Sequence, residues 1–194
     1  MRAARERLGP AVGPVLDLAL LSLLSLYFEM VVIRWLAADV RVFAYLKNLP
    51  LLAAFLGLGL GCVHGGRRLF GLAPALCLVL AGAIAFAGPL GLTHLYFPQH
   101  DVWAWNDANF QPHGLPPALL TARFFVVVLA LFFLVVGLFA ALGARLGVLF
   151  DALPPTPAYS INLLASLAGI WLFAAVSWLG WPPAGWFALG LLGL

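Results

Sequence analysis

Residues 28–48, "FEMVVIRWLAADVRVFAYLKN", decide how this chain folds, because charge gathers here in a sequence that otherwise avoids it. They hold five of the chain's seventeen charged side chains (ten basic, seven acidic), at Glu29, Arg34, Asp39, Arg41 and Lys47. The whole chain of 194 residues is 64% hydrophobic and only 9% charged, with a mean hydropathy of +1.07. A soluble domain of this composition would leave large apolar patches exposed to water. The composition therefore predicts an all-α integral membrane protein.

The apolar runs predict a polytopic transmembrane helix bundle with five full spans, in a single transmembrane domain over 1–194. Runs of about 20 apolar residues can cross a hydrocarbon core of ~30 Å as helices. The predicted spans are 15–37, 45–63, 69–92, 118–143 and 159–180. A sixth run at 184–194 would be only about 16 Å long at 1.5 Å per residue. We interpret it as an incomplete span that continues beyond Leu194, with a re-entrant helix as the alternative.

The distribution of Lys and Arg predicts a cytoplasmic N-terminus, because cytoplasmic loops are enriched in these residues. With the N-terminus inside, the cytoplasmic side holds Arg2, Arg5, Arg7, Arg67, Arg68 and Arg145, whereas Arg34, Arg41, Lys47 and Arg123 fall towards the other side. The segment 93–117 is then an extracytoplasmic loop. Its aromatic residues suit the membrane interface, so we expect it to lie over the bundle.

Glu29 is the charged residue placed most deeply in a predicted span. It lies about 12 Å from the outer end of 15–37, where a charge costs ~2.5–3.5 kcal/mol at the centre of a span on insertion scales. It is therefore expected to face the bundle and to find a partner or carry a proton. Lys47 and Asn48, at the start of the antiparallel second span, are the expected partners, since a lysine can extend its ammonium group along an apolar stem. A polar clamp and a proton or substrate site both remain open.

Small residues predict two helix-packing faces in the bundle. Gly57 and Gly61 form a GxxxG pattern in the second span, and Ala165 and Gly169 form a similar small-xxx-small pattern in the fifth. Such faces let two helices approach closely. Asn162, one turn into the fifth span, completes the expected polar core and is predicted to hydrogen-bond across helices for ~0.6–2 kcal/mol.

The sequence shows no pattern for catalysis, for a cofactor or for a metal ion. None of the four histidines has an i,i+4 partner, and Cys62 and Cys77 are the only cysteines. No serine stands in a nucleophile elbow, and no two carboxylates share a helical face. The basic residues form no stripe with interleaved aromatics, which argues against nucleic acid. We expect no catalytic residue and no cofactor in this chain, and the lipid bilayer as its first partner.

Two motifs give the chain a family resemblance. "FEMVVIRWLA" followed by "LPLLAAFLGLGLG" resembles the opening pair of spans in bacterial spermidine-synthase-like (polyamine aminopropyltransferase-like) membrane proteins, and "AYSINLLASLAGIWLF" resembles a later motif of the same family. The matching positions, over about a third of the chain, are Phe28, Glu29, Arg34, Gly57, Gly59, Gly61, Tyr159, Asn162, Ser166 and Gly169.

The resemblance implies a multi-pass location in the bacterial cytoplasmic (inner) membrane. In that family a cytosolic Rossmann-like aminopropyltransferase domain commonly follows the membrane bundle. This sequence has no Gly-rich cofactor loop and no acidic polyamine-binding residues, so polyamine synthesis by this chain is not implied. The first expectation is an anchor or scaffold for a cytosolic domain.

Two other functions remain open at this stage. The chain could be an accessory subunit of a respiratory or photosynthetic membrane complex, docking other membrane subunits. It could also be a carrier of protons or small solutes that uses Glu29.

Overall fold

The computed structural model describes residues 12–64, 67–93, 95 and 116–194, and every regular element within these ranges is a helix. The helices are α1 (Val12–Asp39), α2 (Arg41–Tyr45), α3 (Asn48–His64), α4 (Arg67–Phe70), α5 (Ala73–Ala85), α6 (Pro117–Ala152), α7 (Pro155–Trp178) and α8 (Pro183–Gly193). The all-helical fold class expected from the composition is confirmed.

Four of these helical segments are long and apolar enough to cross a membrane, whereas five full spans were expected. They are Gly13–Asp39, Arg68–Ala85, Ala118–Ala152 and Pro155–Trp178. The predicted span at 45–63 corresponds to α3, which has 17 residues and a length of about 26 Å. The short helix α8 corresponds to the run at 184–194, and it has 11 residues.

Two helix ends differ from the prediction for identifiable reasons. Helix α5 stops at Ala85 and not at 92, because Pro89 lacks an N–H group and disfavours helical geometry at the residue before it. Helix α6 continues to Ala152, nine residues past the predicted end at 143. Its last turns hold two glycines that pack on α3 and a basic residue that pairs with α1, so the polar and small residues there form contacts between helices.

A pair of prolines begins each of the last three helices. Pro116–Pro117 precedes α6, Pro154–Pro155 precedes α7 and Pro182–Pro183 precedes α8. In each pair the first proline is the N-cap, with φ between −58° and −67°. The second proline is the first helical residue, where its missing N–H group costs no hydrogen bond. These dipeptides set where the three helices begin.

The closest helix pairs are parallel and are not neighbours in sequence. Helix α3 packs mainly on α6, and α1 packs mainly on α7. Along α3, Gly57 lies against Val136 and Gly61 lies against Ala140. Both partners advance in the same direction, which makes α3 and α6 parallel.

The α1–α7 pair shows the same order of contacts. Oγ of Ser166 donates a hydrogen bond to the carbonyl oxygen of Ser22. The rings of Tyr27 and Phe173 pack edge-on, with centroids 6.3 Å apart. Helix α8 runs antiparallel to α1, since Phe28 contacts Gly190 and the more N-terminal Leu24 contacts Gly193. The buried apolar core is built mainly by α1 and α6, with smaller contributions from α2, α3, α5, α7 and α8.

Candidate functional site

Charged side chains mark two levels along the helices, one near each end of the bundle. Asp39 lies 22 positions after Asp17 in α1, and Arg145 lies 22 positions after Arg123 in α6, which corresponds to about 33 Å along each helix. This spacing is close to the ~30 Å thickness of a bilayer core. We call the two levels the Asp17 edge and the Asp39 edge.

At the Asp17 edge an ion pair joins α1 to α6. Nη2 of Arg145 donates to Oδ2 of Asp17 over 3.3 Å, and the two side chains are 23% and 15% exposed. The pair aligns the beginning of α1 with the last turns of α6. Arg145 lies two residues past the end that the apolar run of α6 predicts, so the ion pair belongs to the added turns of this helix.

At the Asp39 edge a basic residue holds the turn that follows α5. Nη2 of Arg123 donates to the carbonyl oxygens of Leu90 and Gly91, over 3.2 and 3.0 Å. Gly91 has φ of +65°, and a Cβ atom there would lie 2.6 Å from Nη2 of Arg123. The turn therefore needs glycine both for its left-handed backbone and for the space that the guanidinium occupies.

Glu29 lies midway between these edges and inside the bundle. It is twelve residues from Asp17 and ten from Asp39, which places it about 18 Å and 15 Å from the two levels. The side chain is 3% exposed, and its Oε2 atom has no hydrogen-bond partner among the described residues. A buried carboxyl oxygen without a donor is uncommon, because burying an unpaired charge is costly.

Two serines share the buried face of α1 with Glu29. Among the described residues, the buried polar side chains are Ser22, Ser25 and Glu29, exposed by 1, 2 and 3%. Their spacing of i, i+3 and i+7 puts all three on one side of the helix. Oγ of Ser25 donates to the carbonyl oxygen of Leu21 over 2.8 Å, whereas Oγ of Ser22 has no hydrogen-bond partner within the described ranges. We call these three residues the α1 polar stripe.

The expected partners of Glu29 lie elsewhere. Lys47 and Asn48 are both exposed, and the described residues contain no hydrogen bond from either of them to Oε2 of Glu29. Both follow the Asp39 edge in sequence, and the carboxyl group lies about 15 Å below that edge. This distance exceeds the reach of a lysine stem, so the ammonium group stays at the surface.

The hydrogen bond across helices that was expected from Asn162 is made by Ser166 in the structure. Asn162 is half-buried, and its amide forms no hydrogen bond to another described residue. One turn further along, Oγ of Ser166 donates to the carbonyl oxygen of Ser22 over 3.4 Å. The polar contact between α1 and α7 is therefore made by the serine.

The glycines singled out by their spacing lie at close backbone contacts. A Cβ atom on Gly57 would lie 2.8 Å from Cβ of Phe139, and one on Gly61 would lie 2.7 Å from the backbone N of Ala144. Helix α6 contributes a GxxxG pattern of its own to this contact. A Cβ atom on Gly143 would lie 2.5 Å from a backbone oxygen of α3, and one on Gly147 would lie 2.8 Å from another. Two GxxxG patterns therefore face one another.

The fifth-span pattern is less symmetric. Gly169 is buried against the carbonyl oxygen of Leu23, whereas Ala165 is only half-buried. The glycine is the point of closest approach between α1 and α7.

A second polar contact ties α1 to α8. The hydroxyl of Tyr27 is completely buried and donates to the carbonyl oxygen of Trp186 over 2.8 Å. Nε1 of Trp186 is buried and has no partner among the described residues. The two residues belong to an aromatic cluster whose rings meet edge-on or tilted; it comprises Tyr27, Phe28, Trp35, Phe173, Trp186 and Phe187.

The described residues hold no group of three or more side chains that could bind a metal ion. His64 lies at the C-terminal end of α3, where Nδ1 is 3.3 Å from the carbonyl oxygen of Leu60. The other three histidines and nearly all of the expected loop at 93–117 lie outside the described residues.

Sequence reasoning found Glu29 but missed the groups around it. The signal for Ser22 and Ser25 was present, because both stand on the same helical face as Glu29 in an otherwise apolar run. Tyr27 and Trp186 are separated by 159 residues, and no local pattern in the sequence links them. Comparison of the chain with family models, with curated proteins and with solved structures found no match.

Proposed function

We propose that this chain is a membrane-embedded anchor or scaffold domain, similar to the membrane part of bacterial spermidine-synthase-like proteins. The observation that carries the proposal is the interlocking of its backbones. Gly57 and Gly61 of α3 meet Gly143 and Gly147 of α6, and Gly169 of α7 meets α1. Close contact between backbones stabilises a bundle in lipid, where the hydrophobic effect no longer drives helices together. A rigid bundle suits a protein that holds another domain or subunit in place.

The proposed setting is the bacterial cytoplasmic membrane, with the N-terminus and the Asp17 edge on the cytoplasmic side. The bias of Lys and Arg supports this orientation. Cys62, exposed two residues before the end of α3, provides a test, while Cys77 in α5 is buried. A membrane-impermeant maleimide added to intact spheroplasts should leave Cys62 unlabelled and should label it once the membrane is opened. Labelling of Cys62 in intact spheroplasts would show that the protein has the opposite orientation.

The exposed face of α7 favours a second candidate, an accessory subunit of a larger membrane complex. The large side chains on this face are at least half exposed; they are Tyr159, Leu163, Leu164, Leu167, Trp171 and Trp178. Trp171 is 69% exposed and Trp178 is 88% exposed. Aromatic residues are enriched at interfaces between proteins. Lipid would cover the same face if the chain serves only as an anchor.

Gentle extraction from native membranes followed by intact-mass analysis separates these proposals. One polypeptide heavier than 20.7 kDa by a covalent domain supports the anchor. A defined complex with other membrane polypeptides supports the accessory subunit. A chain of 20.7 kDa found alone, in lipid and detergent, would contradict both.

A photo-crosslinking residue at position 171 gives a second readout on the same face. In an accessory subunit it should join the chain to a neighbouring polypeptide, and in an anchor it should capture lipid. The matched control is the same residue at position 126 of α6, because Val126 is 66% exposed and Trp171 is 69% exposed.

A further inference from the structure

The α1 polar stripe is a set of oxygen atoms with unused hydrogen-bonding capacity inside an apolar bundle. In the part of the chain that the structure describes, Oε2 of Glu29 and Oγ of Ser22 have no hydrogen-bond partner. Oγ of Ser25 donates its proton to the carbonyl oxygen of Leu21 and keeps its lone pairs. Side chains on a helix lean towards its N-terminus. The Glu29 carboxyl group therefore leans towards Ser25, and Ser22 follows one turn further on.

No basic residue of the sequence lies at the depth of Glu29 in any helix that packs against α1. Between Arg123 and Arg145, α6 has no polar residue at all, and α8 has no charged residue. The contact partners α2, α3, α5, α6, α7 and α8 carry titratable or charged side chains in their described parts at Arg41, Tyr45, Cys62, His64, Cys77, Arg123, Arg145, Asp151 and Tyr159.

Most of those groups lie at the two edges or are already engaged. Arg145 pairs with Asp17, and Arg123 holds the turn after α5. Arg41 begins α2, beyond the Asp39 edge. Cys77 and Tyr159 carry no positive charge. On α1 itself, Arg34 is exposed and lies about 140° around the helix from Glu29. Among the described residues, an ionised Glu29 would therefore lack a counter-charge, and a buried group in that position takes up a proton.

We propose that Glu29 is a proton-binding site in the interior of the membrane, and that its proton exchanges with water along Ser25 and Ser22 towards the Asp17 edge. Exchange breaks the O–H bond of the acid and forms an O–H bond on an entering water molecule, and the reverse step restores the acid. Ser22 lies about 7.5 Å along the axis from the level of Asp17. The site adds an acid–base function to the bundle and does not depend on the scaffold proposal.

Infrared spectroscopy of the full chain in lipid vesicles tests the proposal directly. The carbonyl stretch of a protonated acid is well separated from the bands of a carboxylate. Wild-type protein should show an acid band that is absent from Glu29→Gln and that shifts when H₂O is replaced by D₂O. No acid band would mean that Glu29 is ionised, and a band that never shifts would mean that its proton is locked; either result overturns the proposal.

Isotope labelling gives the same readout without substituting Glu29. Glu6 and Glu29 are the only glutamates in the chain. A Glu6→Gln protein made by cell-free synthesis with glutamate ¹³C-labelled at its side-chain carboxyl group therefore carries a labelled carboxyl side chain at Glu29 alone, so its acid band is identified even if Glu29→Gln fails to fold.

The exchange rate tests the route. Ser22→Ala and Ser25→Ala should each slow the D₂O-induced shift several-fold. The matched control is Ser160→Ala, because Oγ of the exposed Ser160 bonds the carbonyl oxygen four residues earlier, as Ser25 does. Equal rates in all four proteins would overturn the serine route.

Discussion

Gly169 of α7 lies directly against the carbonyl oxygen of Leu23 in α1. No side chain stands between the two backbones at this point. A Cβ atom at position 169 would also come within 3.1 Å of the carbonyl carbon of Leu23. The backbone of α1 cannot move away without disturbing the hydrogen bond from Ser166 to Ser22.

Gly169→Ala should therefore destabilise the bundle by about 1–3 kcal/mol, the usual cost of overpacking. The matched control is Gly82→Ala in α5, where a new Cβ atom would have nothing within 4 Å. Unfolding in mixed micelles with increasing SDS measures both variants. Equal stability of the two would show that α1 and α7 do not meet at Gly169.

Two glycines of α3 that are two residues apart should respond in opposite ways to alanine. Gly61→Ala should cost about 1–3 kcal/mol, because its Cβ would meet the backbone of Ala140 and Ala144. Gly59 has nothing within 4 Å, and Gly59→Ala should be neutral or stabilise by up to ~1 kcal/mol, since alanine has the higher helix propensity. The same SDS titration provides the comparison. Similar losses in both variants would contradict the α3–α6 contact.

Removing the hydroxyl of Tyr27 should weaken the attachment of α8. Tyr27→Phe breaks its buried hydrogen bond to the carbonyl oxygen of Trp186, at a cost of about 0.6–2 kcal/mol for a contact of this kind between membrane helices. Tyr159→Phe is the control, because Tyr159 is 64% exposed on α7. Thermal unfolding followed by tryptophan fluorescence reports on both. A smaller loss for Tyr27→Phe than for Tyr159→Phe would rule out the contact.

The ion pair at the Asp17 edge should show a modest but measurable coupling. A double-mutant cycle with Asp17→Asn and Arg145→Gln is expected to give an interaction energy of about 1 kcal/mol, since both side chains are partly exposed. The coupling should fall at high salt, because partly exposed charges are screened. The cycle isolates the pair from the other contacts of Asp17. Zero coupling at low salt would mean that the two charges do not interact.

The sequence predicted the helices well and their neighbours poorly. Apolar runs locate a helix in lipid, and they placed α1, α3 and α7 to within four residues at each end and α6 to within one residue at its start. The end of α6 was missed because Gly143, Arg145 and Gly147 read as a break, although each of them contacts another helix. The helices are apolar on nearly every side, so periodicity alone does not show which faces meet.

The depth of Glu29 could be predicted, but its surroundings could not. Depth follows from residue counting along one helix, whereas a partner depends on packing between helices. Lys47 was plausible by sequence distance and lies at the exposed edge. No role was predicted for Ser22 and Ser25, because single serines are common in membrane helices and hydrogen-bond readily to their own backbone.

The parallel pairing of α3 with α6 sets the order in which this protein can mature. A ribosome makes α3 well before α6, with α4, α5 and the segment 93–117 between them. Until α6 enters the membrane, the glycine face of α3 has only lipid beside it. The contacts of helix α1 with α7 and α8 form later still, because these two helices follow α6 in the chain. The tightest contacts of the bundle are thus the last to form, and an early stop in synthesis leaves separate helices that lack their partners.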